Sequence, residues 1–376
     1  MRRTSRPTLL AALTLLGAMA FAGRAQAQGQ ARDQVTYRND RGDRVTTVKG
    51  TIEENSLTGV KVRTGEGTVA TLDSGQVLRV VFGEVPDSYR EARTWRARGD
   101  MDQALAQFRA AASDAESAAV KASARMEAVR CLMRIAAKDA TRFAEAATEA
   151  DRYMSDFATG REVPEAMRTK ARALWLQGKA GEAADLYSAL YDKGRTGTAG
   201  YPTTLCLEAA LDGAWAALDN NDTGKARELF TACKAGFEAA AKDATGADAS
   251  YLTGLAASAD CGEGFCLLAS GDKRGARSFF ERRRSQDLHP SGLALATLGL
   301  AESLLADGQA GDAQVHFATV SALDPTSRDR TARAMLGLAQ SLKAVGSPTA
   351  SEQVPILLAK IKGVYGDTPA ALKAGR

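Results

Sequence analysis

The 376-residue sequence is poor in the side chains that catalytic sites use most: it has two histidines, His289 and His316, and five cysteines among which no CxxC occurs. HExxH, GxSxG and GxxxxGK[ST] are absent, which removes the zincin, nucleophile-elbow and P-loop signatures. Paired acids such as Glu53-Glu54 exist, but a glycosidase needs two carboxyls facing each other across a cleft, and adjacency does not supply that. His316 lies beside Phe317 and His289 precedes Pro290, so one reads as a helix side chain and the other as a loop residue. No catalytic residue, metal site or cofactor is expected. Aromatics make up only 6% of the chain, and beyond the first residues no apolar run approaches the roughly 20 residues that a membrane-spanning helix requires.

What the chain does have begins with its first 27 residues. Arg2, Arg3 and Arg6 precede the apolar run "TLLAALTLLGAMAFAG", which ends in Ala25-Gln26-Ala27, the pattern of a signal peptide cleaved after Ala27. A periplasmic or secreted location is the expectation, with no stable membrane insertion after cleavage. The leader carries four of the 49 basic residues and none of the 45 acidic ones, so its removal leaves a neutral chain with 45 of each. Without a basic block there is no footprint for phosphates, and no nucleic-acid partner is expected.

After a short linker, 28–33, residues 34–83 alternate in period two, rich in Val and Thr and broken by Gly, Asn and Asp. About five short strands are predicted, forming a small all-β module of SH3-like or Sm-like barrel type. Its expected inner face is Val45, Val48, Ile52, Leu57, Val60, Val62, Val69, Leu72, Leu78, Val80 and Phe82. A module of roughly 50 residues is marginal by itself, so it should lean on the remainder of the chain.

From residue 85 onward the chain is Ala-rich and repeats itself. A Gly or Asn is followed five residues later by Ala and nine later by an aromatic in "GDMDQALAQF", "GKAGEAADLY", "NDTGKARELF", "GDKRGARSFF" and "GQAGDAQVHF". A helical hairpin needs these types in this order: a residue that accepts left-handed φ, a small residue where the helices cross, and a large one to fill the groove beyond. Trp95, Leu174, Leu267, Leu304 and, before Gly346, Leu342 stand about four residues ahead of each turn as first-helix packing positions.

The pattern resembles the tetratricopeptide repeat over residues 85–346, including "SALDP", which places Pro325 at the family's closing proline. It departs in its spacing: the turns at Asn221, Gly271 and Gly308 follow their predecessors by 43, 50 and 37 residues, against a norm of 34 in the family, so longer helices or connections are predicted. Residues 118–158 read as a degenerate unit and 347–376 as a capping helix and tail. The fold class expected is thus mostly α, an α-solenoid behind a small β-module.

The resemblance implies that first helices line a concave groove. Carried onto this chain, the groove positions are Arg93, Arg96, Arg168, Arg172, Trp175, Trp215, Phe265, Leu268 and Glu302, with Arg172, Trp175 and Trp215 as an Arg and aromatic cluster suited to an extended peptide or helix. Protein or peptide partners are implied, held by a noncatalytic scaffold in cell-envelope assembly. The other class of function is a surface adhesion or glycan-binding protein that recognises through the β-module. The oligomeric state is left open. Cys206 opens a first helix and Cys233 sits in the second helix of the same hairpin; in an oxidising compartment they are the candidate disulfide, the alternative being two buried small apolar side chains. Arg98-Gly99-Asp100, an adhesion-like tripeptide, coincides with the first hairpin turn, and Arg41-Gly42-Asp43 with a turn between strands. The turn is what recurs in the other copies, so both read as turns.

Overall fold

The computed structural model describes residues 32–39, 44–286, 289–324, 327–346 and 348–375. The leader, Arg41-Gly42-Asp43 and Pro325 lie outside them. Five strands, β1 (Asp33–Arg38), β2 (Val45–Asn55), β3 (Gly59–Thr64), β4 (Val69–Asp73) and β5 (Val77–Val81), form one antiparallel sheet in the order β4-β3-β2-β1-β5. The 11-residue β2 serves two partners, pairing with β1 through Val45–Gly50 and with β3 through Gly50–Asn55. Gly50 sits at the changeover, where any Cβ would overlap the Arg63 carbonyl.

Val35, Ile52, Val60, Val62, Leu72 and Val77 form the core of the sheet. Four of these lie on the expected inner face, while Val45, Val69 and Leu78 point outward instead. A short 3-10 turn explains the last of them: Ser74–Gln76 delivers Val77 to the inside, and period two then turns Leu78 out. The module leans on the helices as expected. Leu57 donates its backbone N–H to the Thr159 carbonyl at 2.7 Å, Arg161 reaches Asn55 at 3.1 Å, and Phe82 packs against both the sheet core and the first helices.

The rest is helical. Hairpins pair α1 (Asp87–Arg98) with α2 (Met101–Asp114), α3 (Ala118–Ala136) with α4 (Phe143–Asp156), α5 (Val163–Leu176) with α6 (Ala180–Arg195), and α7 (Thr203–Asp219) with α8 (Thr223–Asp243). They continue with α9 (Gly246–Asp260) and α10 (Gly262–Ala269), an almost continuous first helix facing α11 (Lys273–Arg284), then α12 (Pro290–Ala306) with α13 (Ala310–Leu323) and α14 (Arg328–Val345) with α15 (Ala350–Val364). A short α16 (Pro369–Ala374) closes the chain. This is an α-solenoid of tetratricopeptide-like hairpins.

The repeat residues do what their types require. Gly99, Gly178, Asn221, Gly271, Gly308 and Gly346 all have left-handed φ, between 60° and 88°, and Asn221 is the one non-glycine among the described residues that does. At Gly99 the Asp100 N–H bonds the Trp95 carbonyl and the Gly99 N–H bonds that of Arg96, the paired bonds of a Schellman turn. The same pair recurs at Gly178, Asn221, Gly271 and Gly308, with Leu174, Ala217, Leu267 and Leu304 as the long-range acceptors. Asp100 then caps α2 through the Gln103 N–H, so Arg98-Gly99-Asp100 is hairpin punctuation. Ala104, Ala183, Ala226, Ala276 and Ala313 are buried, as are the aromatics beyond them: Phe108, Tyr187, Phe230, Phe280 and Phe317. The enlarged spacing has a visible source, since α8 alone runs 21 residues.

All five cysteines are buried free thiols, so the candidate Cys206–Cys233 bridge is not formed and the two are buried small side chains. The reason is rotational. It is Leu207 that faces α8, at Gly236, while Cys206 turns toward Gly194 of α6, and the Cys233 thiol donates to the Phe230 carbonyl of its own helix at 3.4 Å.

Candidate partner groove

Successive first helices are tied to one another by ion pairs. Arg96 on α1 pairs with Glu127 on α3, and Arg130 on α3 reaches Glu165 of α5 at 2.6 Å and Glu162 at 2.9 Å. Arg168 on α5 then engages Glu208 and Asp212 of α7, the latter at 2.8 Å. Burial pushes the Asp212 carboxyl up, and the neighbouring Arg168 and Arg172 oppose that. Burial alone would make Arg168 a weaker base, yet Asp212 and Glu208 together hold it above the ordinary arginine range.

Along this inner face the array encloses a cavity of about 510 Å³ between α5, α7, α9, α12, α14 and α16. Trp175 and Trp215 form one wall and Leu295, Leu298 and Leu336 another. Trp175, 5% exposed, donates its indole N–H to Asp219 at 2.9 Å and carries the Arg172 guanidinium over its ring at 5.1 Å. Arg172 also reaches Asp329 at 2.6 Å, an ion pair between residues 157 positions apart that joins α5 to α14. Trp215 is held edge-to-face between Phe230 and Phe265, with centroids 5.0 and 4.9 Å away. Arg333 lies over Trp215 and Phe265 while Glu302 grips it through two bonds of 2.6 and 2.7 Å.

Of the cluster drawn from the resemblance, Trp175 and Trp215 line the cavity, while Arg172 lies behind it, over the Trp175 ring and against Asp329. Arg168 stands behind it through Asp212, and Glu302 through Arg333. Phe265 is 2% exposed and supports Trp215 from below, with Leu268 partly buried in the same core, so neither lines the cavity. Arg93 is exposed and Arg96 lies over Phe108, both on α1 and away from the cavity. Sequence reasoning missed Asp219, Arg333, His289 and the tail residues Pro369, Ala370 and Lys373. Asp219 precedes the Asn221 turn by two residues with no signature of its own, and nothing local marks a tail that folds back. His289, read as a loop residue, caps α12 by accepting the Ser291 N–H at 3.3 Å and borders the cavity.

Among the described residues no three His, Cys, Asp or Glu side chains are grouped to hold a metal ion, and no helix is long and apolar enough to cross a membrane. No family model matches the sequence, and no curated protein matches it. Among solved structures the chain is similar to a tetratricopeptide repeat protein from Parabacteroides merdae ATCC 43184, 12% identical over 73% of this chain and 100% of that one, with a TM-score of 0.45. It is also similar to kinesin light chain TPR-like repeats from Podosopora anserina, 20% identical over 54% of this chain and 97% of that one, with a TM-score of 0.31. At such identities the likeness concerns the fold alone, and the reading of the repeats rests on their turn and packing geometry.

Proposed function

We propose that this protein is an exported, noncatalytic scaffold that holds protein partners in the concave groove of its solenoid, in the service of cell-envelope assembly. The observation that carries the reading is the cavity itself. Two tryptophans are fixed there by hydrogen bonding, ring contacts and stacked arginines, on helices rigidly paired to their neighbours, which is how a protein presents preorganised anchor sites for a side chain of a partner. The leader pattern of the first 27 residues supports the export part of the proposal. A β-module that reads glycans would offer exposed aromatic platforms, and here Tyr37 and Phe82 are both packed against the core of the sheet, which favours the groove.

Tyr251 gives a clean test, because it borders the cavity yet is 52% exposed. A photo-crosslinking amino acid at Tyr251 should capture a defined protein in intact cells, whereas the same group at Val315, 65% exposed on α13 and away from the cavity, should not. Capture of polysaccharide alone, or equal capture from both positions, would overturn the scaffold reading.

A further inference from the structure

One side of the groove is closed by this chain's own tail, which supplies Pro369, Ala370 and Lys373 to its lining. After α15 the backbone crosses to the other side of the cavity. Gly366 lies so close to the Ala137 carbonyl at the end of α3 that a Cβ there would overlap it. The Asp367 carbonyl accepts a 2.7 Å bond from Arg172 on α5, and the Asp367 carboxylate accepts one of 2.7 Å from Arg328, whose guanidinium also lies 5.1 Å over the Tyr365 ring. Thr368, 1% exposed, caps α16 by accepting the Ala371 N–H. Ala370 fits into the apolar pocket with Met335, Leu336 and Ile361, and Lys373 reaches Asp219 at 2.6 Å. Asp219 is the same carboxylate that holds the Trp175 indole.

The geometry points to the segment 365–374 as a built-in ligand of the groove, and hence to the chemistry of the partner that replaces it. That partner is a peptide segment of another protein that offers a carboxylate and a carbonyl to Arg328 and Arg172, small apolar residues to the cavity, and about one helical turn beyond them an ammonium or guanidinium to Asp219. Two features make the tail a displaceable occupant. Its helix is only six residues long, and apart from Tyr365 and Pro369 its apolar contacts are alanines, so the surface it buries is small beside that of a full hairpin. It is also tethered, which keeps it at a local concentration of order millimolar and lets it exclude weak competitors while yielding to a better-matched segment. The inference rests on the groove being the partner-binding surface of the proposed scaffold.

The test uses the full chain and a fluorescent synthetic peptide copying residues 364–376. Gly366→Val should expel the tail by its clash with Ala137, and Lys373→Glu should do so by charge without changing any packed residue. Both variants should bind the peptide about tenfold more tightly than the unaltered protein, whose tethered tail competes. Adding Asp219→Lys to Gly366→Val should abolish the gain, and a scrambled peptide should not bind. Equal peptide affinity for the unaltered chain and for Lys373→Glu, with circular dichroism and melting temperature unchanged, would overturn the inference. So would equal binding of the scrambled peptide. Peptide binding by both variants without any capture at Tyr251 in cells would leave the internal ligand standing and remove the scaffold reading; the converse result would remove the internal ligand alone.

Discussion

At the scale of single residues, helical phase decides what the five buried thiols can do. An export pattern made a disulfide attractive, but a bridge needs two side chains turned toward each other, and the helical phase of Cys206 directs it at Gly194 instead. Burial pushes Cys131, Cys206 and Cys266 up to about 11, and Cys233 and Cys261 up to about 12. An unfolded thiol sheds its proton near pH 9, so between about 9 and 11 to 12 the unfolded state binds fewer protons than the folded one and stability falls as pH rises, by about 1 kcal/mol per pH unit for each thiol. Below pH 9 these groups leave stability unchanged. Urea midpoints should therefore drop from pH 8 to pH 10, and Cys233→Ala should make the decline shallower. A thiol-specific disulfide reagent should find no reactive group in the native protein at pH 8 and five after unfolding without reductant; three would mean that a bridge exists.

At the scale of elements, much of the solenoid was legible because each hairpin turn needs a left-handed residue and each helix crossing a small one, and both needs leave a mark in one chain read alone. What was not legible is the partner of each aromatic. Phe230, Phe280 and Phe317 project onto Gly262, Gly299 and Gly337 in the first helix of the next unit, where a Cβ would overlap the ring. These glycines carry no turn signature and look like helix weaknesses in sequence. In the β-module the alternation was visible but not its phase, because a short 3-10 turn between β4 and β5 resets it. Of the groove positions, the resemblance points to Trp175 and Trp215, which line the cavity, whereas Arg333 and Lys373 arrive from units whose approach depends on the curvature of the whole array. Two substitutions separate the packing role of glycine from its helix cost. Gly337→Ala should destabilise by about 1–3 kcal/mol, since Phe317 is fully buried and has to move. Gly363→Ala, in a helix with nothing within 4 Å of its would-be Cβ, should stabilise by about 0.5 kcal/mol. Thermal melts of the two variants should shift in opposite directions, and a Gly337→Ala protein that melts no lower than the parent would disprove the ring-on-glycine packing.

At the scale of the molecule, the ordinary solenoid is a one-dimensional object in which each unit touches only its neighbours, so its ends fray independently. This chain departs from that rule, because Arg172 on α5 bonds both Asp329 on α14 and the Asp367 carbonyl, and the tail reaches α3 through Gly366. Burial tends to weaken Arg172 as a base, but Asp329 more than compensates and holds it above the ordinary arginine range, so the guanidinium that closes the contact keeps its charge. Charged hydrogen bonds of this kind contribute about 1.5–3 kcal/mol each, enough to couple two stretches that are far apart in sequence. Arg172→Gln should consequently raise amide exchange not only in α5 but also in α14 and α16, while α1, α2 and α12 keep their protection. Hydrogen–deuterium exchange read peptide by peptide distinguishes the two pictures: faster exchange confined to α5 and its immediate neighbours would mean that the array behaves as a linear stack and that the contact across the groove contributes nothing to it.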